Sequence, residues 1–472
     1  MSAAVETIID SSPTTAQAAD PALQVNDHTA LAARFPANFV WGTATSAFQI
    51  EGATREGGRG ESIWDRFCRS PGVIQDGSNG DVACDHYHRM EADVALLADL
   101  GIRAYRFSIA WPRVQPDGRG LWNEEGIRFY DRLLSALARR GIDAHVTLYH
   151  WDLPQALQDS GGWTSRETVD CFVRYAEEMA RRFGARVASI TTFNEPWVVA
   201  VLGHEAGIFA PGMRSRHAAM QAAHHMLLAH GRSLQSLRRM GVSCPLGIVL
   251  NQSPSDPLSV APADVARARL EDGLLVRWYM DALFLARYPS DVLEAIGADS
   301  PTIHAGDMAE ISVPLDFLGI NYYTRNVVSA NGIVDPLSLG VETTAMGWEV
   351  RPASLTDLLL RLRRDYQLPA VYVMENGAAY ADEKHAGRVA DPARVRYLAT
   401  HIAAVADAID RGVPVRGYFV WSLLDNFEWA HGYSRRFGIV HVDYATQQRT
   451  PKDSAHWYSA LLRTASASAM RI

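Results

Sequence analysis

The sequence predicts an α/β fold, a single (β/α)8 or TIM barrel, because two kinds of segment alternate along it. Short segments rich in β-branched and aromatic residues indicate buried strands, and the stretches between them carry apolar residues at helical spacing and end at glycine. A doubly wound sheet is the rival fold, but no Gly-x-Gly-x-x-Gly turn follows the first strand.

The predicted strands follow one another at regular intervals from about Phe35 onward. In chain order they are FVWGTATSAFQ, RAYRFSIAW, AHVTLYHW, SITTFNEP, PLGIVLNQ, FLGINYYT, AVYVMENG and VRGYFVWSLLDN. Helical segments such as MEADVALLADLG, GIRFYDRLLSALARRG and RVRYLATHIAAVADAIDRG separate them. Each predicted strand is therefore followed by a crossover helix, which is the arrangement that a barrel of parallel strands requires.

Residues 1–33 are predicted to form a disordered or loosely attached tail. They are rich in Ala, Ser, Thr and acidic residues, and they lack the basic start and apolar centre of a secretory signal. No Pro- or Ser-rich linker interrupts the remaining sequence, so residues 34–472 are predicted to be one catalytic domain.

The composition of the chain indicates which partners it can bind and which cellular compartment suits it. The net charge of −8, without a basic cluster, argues against nucleic acid, and no apolar run is long enough to cross a membrane. The four cysteines lack CxxC spacing, which favours reduced thiols and a cytoplasmic location. The only lysines, Lys384 and Lys452, stand in segments that suggest solvated side chains, which weakens any Schiff-base mechanism.

The stretch TTFNEPW places Glu195 between Asn194 and Pro196 at the end of an apolar run. The run Val187–Phe193 predicts a short buried strand, and a residue before proline favours extended geometry. We therefore expect Glu195 to lie at the mouth of the fourth strand, where it is either a helix N-terminal charge or a reacting group.

Polar and aromatic residues recur at the carboxyl ends of other predicted strands, where barrel enzymes place their chemistry. Beginning with the first strand, these residues are Gln49, Arg106, His150, Trp151, Asn194, Glu195, Asn321, Tyr323, Glu375, Trp421, Glu428 and Trp429. Taken alone, each of these residues has a structural explanation: a helix cap, an aromatic ring packed in the core, or a buried histidine whose hydrogen bonds are all made. Two acidic residues facing one pocket from strands four and seven favour catalysis.

The histidines outside the strand ends do not indicate a metal site. His86 and His88 open a helix, and the run AAHHMLLAHG directs its histidines to different helix faces without an acidic third ligand. Neither a phosphate-binding loop nor a Gly-x-Ser-x-Gly turn is present. We therefore predict no metal and no cofactor.

Two carboxylates among neutral hydrogen-bonding groups and tryptophans are typical of a sugar site. Gln, His and Asn side chains can bind hydroxyl groups, and Trp can pack against the apolar face of a sugar ring. Cleavage of a glycosidic bond needs one acid to protonate the leaving oxygen and one carboxylate to meet the developing oxocarbenium ion. The residues therefore favour glycoside hydrolysis of a small-molecule substrate.

A set of motifs resembles the family 1 glycoside hydrolases, the β-glucosidase family. They are WGTATSAFQIEG, YRFSIAWPR, LYHWDLP, TFNEP, AAHHMLLAHG, GINYYT, MENG, WSLLDNFEW, RFGIVHVD and RTPKDSAHWY. They occur from about Phe35 to the C-terminal helix, so that only the tail lies outside the resemblance. The set is far more specific than any one motif.

The resemblance implies a role for most of the candidate residues. Glu195 corresponds to the general acid/base of the family, Glu375 to its nucleophile, Asn194 to the ligand of the sugar 2-hydroxyl, and Tyr323 to the residue that orients the nucleophile. The glycone, the sugar that is released, would be held by Gln49, His150, Trp151, Trp421, Glu428 and Trp429, and the aglycone by Trp348, with Arg106 and Asn321 in support. Met374 stands where the family commonly has Thr.

Two residue differences bear on the substrate. Thioglucosidases of the family carry Gln at the acid/base position, whereas this chain has Glu195. The 6-phospho-glycosidases replace the glycone Glu with Ser and add a Lys and a Tyr, whereas DNFEWAHGYSRRFG contains Glu428, Phe437 and no Lys. The resemblance therefore implies an O-glycoside of a neutral sugar.

The sequence thus predicts a retaining exo-β-glycosidase that releases terminal β-D-glucosyl residues from β-glucosides and cello-oligosaccharides. A broad β-galactosidase or β-fucosidase is the alternative; a 6-phospho-β-glucosidase and a non-catalytic sugar-binding barrel are more distant ones. A metal-dependent barrel hydrolase is a further rival, which a chelator would inactivate. The sequence does not decide between a monomer and a homo-oligomer.

Overall fold

Eight parallel strands close into a barrel in the computed structural model, which describes residues 27–469. They are β1 (Val40–Ala44), β2 (Ala104–Ser108), β3 (Asp143–Tyr149), β4 (Ser189–Asn194), β5 (Leu246–Asn251), β6 (Phe317–Asn321), β7 (Ala370–Asn376) and β8 (Val415–Trp421). Each strand pairs with the next along the chain, and β1 pairs with β8 to close the ring. The predicted fold class is confirmed.

The longer helices form a layer around the barrel. They are His86–Asp99, Glu124–Arg139, Arg166–Phe183, Arg216–Arg239, Pro262–Asp272, Trp278–Leu285, Pro352–Asp365, Pro392–Asp410 and Asp453–Ala469. Shorter α-helices are His28–Ala32, Ala47–Ile50, Ile63–Phe67, Trp111–Val114, Gln155–Gln158, Ser290–Ile296 and Asp307–Ile311, and Val198–Glu205 and Gly273–Arg277 are π-helical. Single 3₁₀ turns span Gly162–Thr164, Gly184–Arg186, Gly297–Asp299, Pro336–Leu339 and Trp429–His431. The longest described helices show no span apolar enough to cross a membrane.

Small sheets lie outside the barrel. One has three strands, Ser255–Pro257, Asn326–Ser329 and Gly332–Ile333. Two have a pair of antiparallel strands: Lys384–His385 with Arg388–Val389 follows β7 in the chain, and Val440–Val442 with Arg449–Pro451 follows β8. They therefore shape the loops on the side of the barrel where β7 and β8 end.

The helix Glu124–Arg139 shows how sequence produces the outer layer. The Asn123 side chain caps its N-terminus by accepting the Glu125 backbone N–H, and an Asn cap contributes about 1 kcal/mol. Its apolar residues recur every three or four positions, so Ile127, Tyr130 and Leu134 all face the barrel and are buried.

The predicted first strand is too long, which moves Gln49 out of the sheet. β1 ends at Ala44, and Gln49 lies in the helical turn Ala47–Ile50. The Thr45 N–H still bonds to β2, but the Ala47 N–H donates to the Ser108 hydroxyl, so the chain leaves the ladder there. Gln49 nevertheless reaches the barrel mouth.

The two ends of the described chain pack together. Residues 1–26 of the predicted tail lie outside the described residues, but His28–Ala32 is a helix whose Leu31 and Ala32 are buried. Arg34 pairs with Asp407 and Asp410 of the helix Pro392–Asp410. Residues 28–34 therefore contact the rest of the described chain, on the N-terminal side of the domain that the sequence predicts from residue 34 onward.

Candidate active site

A cavity of about 600 Å³ opens at the carboxyl ends of the barrel strands. The predicted site residues in its lining are His150, Trp151, Glu195, Asn321, Tyr323, Trp348, Glu375, Trp421, Glu428, Trp429 and Phe437. Three other predicted residues, Gln49, Arg106 and Asn194, are buried and bond to lining side chains. The sequence-predicted residues therefore come together at one place.

Glu195 follows β4 directly, but its backbone is not extended as expected before a proline. Its φ is +48°, because its N–H donates to the Val249 carbonyl of β5 and its own carbonyl accepts the Val198 N–H. Such a left-handed conformation costs about 1–3 kcal/mol in a residue other than glycine. Trp151 and Trp429, which also line the cavity, have φ values of +80° and +53°.

The Glu195 carboxylate has few partners. Its side chain accepts one hydrogen bond, from the Asn321 amide at 2.7 Å, and the residue is 6% exposed. Burial and the negative charge of Glu375 raise the pKa of Glu195 to about 8. Glu195 therefore holds a proton at neutral pH, as a general acid must.

Glu375 near the end of β7 has a contrasting environment. The Arg106 guanidinium donates to its Oε1 at 2.6 Å, and the Tyr323 hydroxyl donates to its Oε2 at 2.6 Å. Burial raises the pKa of Glu375, but Arg106 and Tyr323 oppose that rise. Both donors stabilise the Glu375 anion. When the pair of carboxyl groups holds a single proton, that proton is therefore on Glu195.

Arg106 and Asn194 connect the two acidic residues. The second guanidinium nitrogen of Arg106 donates to Asn194 Oδ1 at 2.7 Å, and Asn321 donates to the same oxygen at 3.0 Å. Asn321 also donates to Glu195, so one continuous set of bonds joins β2, β4, β6 and β7. Side chains that are fixed by several strands need little reorganisation during a reaction.

The deepest part of the cavity carries polar groups from the loop after β8. The Gln49 amide donates to Asn426 at 3.0 Å, to the Phe427 carbonyl at 2.9 Å and to Glu428 at 3.4 Å. Burial and the charge of Glu375 raise the pKa of Glu428 to about 8. Asn426 was missed at the sequence level, although it lies inside the motif WSLLDNFEW.

His150 presents a neutral imidazole to the cavity. Burial and the nearby Arg106 charge lower the pKa of His150 well below its ordinary value. Its Nε2 lies 3.3 Å from the Asn194 amide nitrogen, which can only donate, so the ring proton is on Nδ1. Nδ1 is buried and has no partner among the described residues.

The outer part of the cavity is largely apolar and was not predicted. Its apolar lining comprises Val198, Val201, Leu202, Ile208, Phe209, Met220, Leu274, Leu275, Ile333 and Met346. Two ion pairs, Arg216–Glu205 at 2.7 Å and Arg267–Glu271 at 2.6 Å, belong to the same lining. These residues lie on the π-helices Val198–Glu205 and Gly273–Arg277, on the helices Arg216–Arg239 and Pro262–Asp272, on the short strand Gly332–Ile333 and in loops, so they come from many separate parts of the chain.

Within residues 27–469, no group of three or more His, Cys, Asp or Glu side chains is arranged to hold a metal ion. His224, one of the clustered histidines, bonds to Tyr288 at 2.8 Å and to Asp307 at 3.0 Å in the helical layer. These contacts give that histidine a structural explanation.

The whole barrel matches one family of known proteins. The family model of glycosyl hydrolase family 1 covers residues 31–467. The chain belongs to glycosyl hydrolase family 1. It is accordingly a glycosidase, and the resemblance in its motifs is confirmed.

Curated and solved family 1 proteins resemble it over nearly their full length. A β-glucosidase from Agrobacterium sp. is 46% identical over 445 residues, which are 93% of this chain and 97% of the relative. A 1,4-β-D-glucan glucohydrolase from Thermotoga neapolitana is 42% identical, over 91% of this chain and 98% of the relative. The crystal structure of a β-glucosidase from Exiguobacterium antarcticum has a TM-score of 0.90 at 44% identity, over 92% of this chain and 99% of that one.

Met374 precedes Glu375 in this family 1 member and lies inside the barrel. It is 1% exposed and packs in a cluster with Phe419, Trp421 and Phe437. A Cβ on Gly319 of β6 would lie 2.9 Å from Met374 Cγ. The absence of a side chain at Gly319 therefore gives the longer methionine its space.

Proposed function

We propose that Glu195 is the general acid/base and Glu375 the nucleophile of a retaining exo-β-glucosidase. The observation that carries the proposal is the contrast between two buried carboxyl groups in one cavity. Glu195 has only a neutral amide partner, whereas Glu375 accepts bonds from a cation and a phenol. Environments that separate two pKa values in this way assign the acid and the anion.

In the first step, a carboxylate oxygen of Glu375 attacks the anomeric carbon and the bond to the aglycone oxygen breaks. Glu195 gives its proton to that leaving oxygen, and a covalent glycosyl-enzyme of inverted configuration forms. Esterification removes the charge of Glu375, which had helped to raise the pKa of Glu195. The Glu195 carboxylate then accepts a proton from water, and the water oxygen displaces Glu375 to restore the β configuration.

Further residues would hold the reactants in this geometry. Arg106, Tyr323 and Asn321 would orient the two carboxyl groups, and Asn194, whose Oδ1 accepts bonds from Arg106 and Asn321, would bind the 2-hydroxyl of the sugar. We propose that Gln49, His150, Trp151, Trp421, Glu428 and Trp429 bind the glycone, that Trp348 borders the aglycone and that Phe437 contacts the substrate beside Trp348. Packing supports the last pair, since the rings of Trp348 and Phe437 both lie within about 6 Å of Tyr323.

The substrate is proposed to be a neutral β-glucoside or a short cello-oligosaccharide. The names of the relatives support glucose as the sugar, because they are called β-glucosidase and 1,4-β-D-glucan glucohydrolase. Glu428 supports a neutral sugar, because an acidic side chain offers a 6-phosphate no cation and would repel it whenever the acid is ionised. Galactosides and fucosides, which differ from glucosides by a few hydroxyl groups, are the alternative that an assay must separate.

A panel of nitrophenyl β-glycosides tests this proposal. We expect the highest kcat/KM for the glucoside, lower values for the galactoside and fucoside, and little turnover of the 6-phosphoglucoside. Proton NMR should show that β-glucose is released first, before mutarotation. Release of α-glucose, or a preference for the 6-phosphoglucoside, would contradict the proposal; the isosteric Glu375→Gln protein serves as the control for contaminating activity.

We also propose that the enzyme acts in the cytoplasm. Its four cysteines, Cys68, Cys84, Cys171 and Cys244, are free thiols, which suits a reducing compartment.

A further inference from the structure

Six charged side chains form a buried cluster beside the loops that follow β7 and β8. We call them the buried charge cluster, which consists of Asp382, Asp391, Arg394, Asp425, Arg436 and Lys452. Three are acidic and three are basic, so their formal charges balance. Five of them have side chains that are at most 2% exposed, and Arg436 is 21% exposed.

Lys452 is the member that the sequence interpretation placed wrongly. The sequence predicts a solvated side chain, but Lys452 is fully buried immediately before the C-terminal helix Asp453–Ala469. Its ammonium group bonds to Asp382 at 2.5 Å and to Asp425 at 2.7 Å. Lys452 therefore joins two carboxylates that come from different loops.

Two arginines complete the connection between the loops. Arg394 bonds to Asp382 and Asp391 and also donates to the carbonyls of Ala378 and Arg436. Arg436 donates to Asp425 at 2.7 Å. Burial alone would raise the pKa of Asp425, but Lys452 and Arg436 outweigh it and hold that pKa below its ordinary value. Asp425 is therefore an anion that depends on these cations.

The cluster is adjacent in the chain to both halves of the proposed site. Ala378, which Arg394 holds, follows Glu375 by three residues. Asp425 immediately precedes Asn426, which accepts a bond from Gln49, and Glu428 follows two residues later. The Gly438 N–H donates to Asp425 at 3.0 Å, next to the cavity residue Phe437. No cluster member lines the cavity itself.

We propose that Lys452 is a positioning residue for the reaction. By holding Asp382 and Asp425 together, it fixes the loop that carries Glu428 against the segment that follows Glu375. The proposal rests on the proposed function, in which Glu428 binds the glycone. Since Glu428 stands where 6-phospho-glycosidases have Ser, we expect a displaced loop to impair recognition of the sugar's 6-hydroxymethyl group first.

The test compares a β-glucoside with a β-xyloside, which lacks that hydroxymethyl group, in Lys452→Met. We expect kcat/KM for the glucoside to fall about tenfold or more, because misplacement by about 1 Å can cost up to about 10²-fold. The xyloside should lose clearly less, so the glucoside-to-xyloside ratio falls. Assays run well below the melting temperature of each variant, with folding checked by circular dichroism.

Asp382→Asn is the second variant, because it keeps the volume and removes the charge that Lys452 and Arg394 share. It should lower the glucoside-to-xyloside ratio by a smaller factor. If Lys452→Met does not fold, this variant alone tests whether the cluster positions the loop that carries Glu428. The matched control is Asp307→Asn, which removes an equally buried carboxylate from Arg166 and His224 in the helical layer. It should lower thermal stability and leave the ratio unchanged.

A folded Lys452→Met or Asp382→Asn protein with the wild-type glucoside-to-xyloside ratio would overturn the proposal and leave the cluster a purely stabilising role. Failure of the proposed function is distinguishable, because the wild-type protein would then not cleave the glucoside.

Discussion

The inner and outer parts of the cavity are built in different ways. The inner part contains Glu195 and Glu375, whose oxygens accept bonds from side chains of β6 and β2, and Glu428, which accepts a bond from Gln49. The outer part is lined by side chains such as Leu202 and Ile208, which come from the π-helix after β4 and the loop beyond it. Ile208 is 50% exposed, whereas Glu375 is 3% exposed.

This difference suggests that the inner part of the cavity carries out the reaction and that the outer part selects among leaving groups. Buried, bonded side chains at strand ends have fixed geometry and strongly shifted pKa values, which catalysis requires. Apolar side chains on loops contribute contact area that adapts to different aglycones. Substitutions should therefore have large effects on all substrates in the inner part and small, aglycone-dependent effects in the outer part.

The largest effect is expected for Glu375→Gly. The variant loses the nucleophile, so kcat for a nitrophenyl glucoside should fall about 10⁴-fold or more, as for other covalent catalysts. Added formate, which is small enough to enter the vacated space, should restore part of the turnover. Without formate, a variant as active as the wild-type protein would contradict the assignment of Glu375 as the nucleophile. A variant whose activity does not rise when formate is added would also contradict it.

Removal of the acid/base should cost less and should change the pH profile. General acid catalysis contributes about 10²–10⁴-fold. Because Glu195 with its pKa near 8 must be protonated, wild-type activity should fall as pH rises through about 8. In Glu195→Ala this alkaline limb should disappear for substrates with good leaving groups; an unchanged limb would assign it to another residue.

The pKa of Glu195 can also be tested without turnover. In Glu375→Gln the negative neighbour is lost, so the Glu195 pKa should fall from about 8 toward its ordinary value. Carbon-13 NMR titration of the labelled carboxyl group measures that change. A pKa that stays near 8 would mean that burial alone sets it.

Glu428→Ser should have an intermediate effect. It removes a hydroxyl acceptor but leaves both reacting carboxyl groups in place, and leaving one buried polar group without its hydrogen-bond partner costs about 1–3 kcal/mol. We expect kcat/KM for glucosides to fall about 10- to 100-fold, with the pH limb of Glu195 retained. A larger loss that also abolishes formate rescue in the Glu375→Gly background would place Glu428 in the chemistry.

The smallest effect is expected for Leu202→Ala in the outer part. A half-buried leucine gives only part of the roughly 2 kcal/mol of a fully buried one, so kcat/KM should fall about three- to tenfold. The loss should appear with nitrophenyl glucoside and vanish with methyl glucoside, whose aglycone is too short to reach the wall. An equal fall in kcat/KM for both substrates would contradict the proposed difference between the inner and outer parts of the cavity.

Sequence patterns predicted the inner part far better than the outer part. Strand ends are marked by apolar runs, so Glu195, Asn321 and Glu375 could be placed from sequence alone. The outer wall is assembled from π-helices, α-helices, a short strand and loops, so which of their side chains meet there depends on tertiary packing and leaves no single pattern in the sequence. The left-handed backbone of Glu195 was also unpredictable, because bonds to β5 and to Val198 override the local preference before Pro196.

The buried state of Lys452 escaped prediction for a related reason. A lysine before a helix is usually solvated, and the carboxylates that pair with it lie 70 and 27 residues away in the chain. Only the folded arrangement of the loops after β7 and β8 brings these groups together.

The stereochemistry of azide rescue tests the assignment of the two carboxyl groups most directly. In Glu375→Gly, azide attacks from the side that the nucleophile occupied, so a single displacement should give the α-glucosyl azide. In Glu195→Ala the enzyme nucleophile remains, so azide should intercept the glycosyl-enzyme and give the β-glucosyl azide after two displacements. Proton NMR of the two products distinguishes the anomers. Opposite anomers are the predicted result, and the same anomer from both variants would contradict the roles assigned to Glu195 and Glu375.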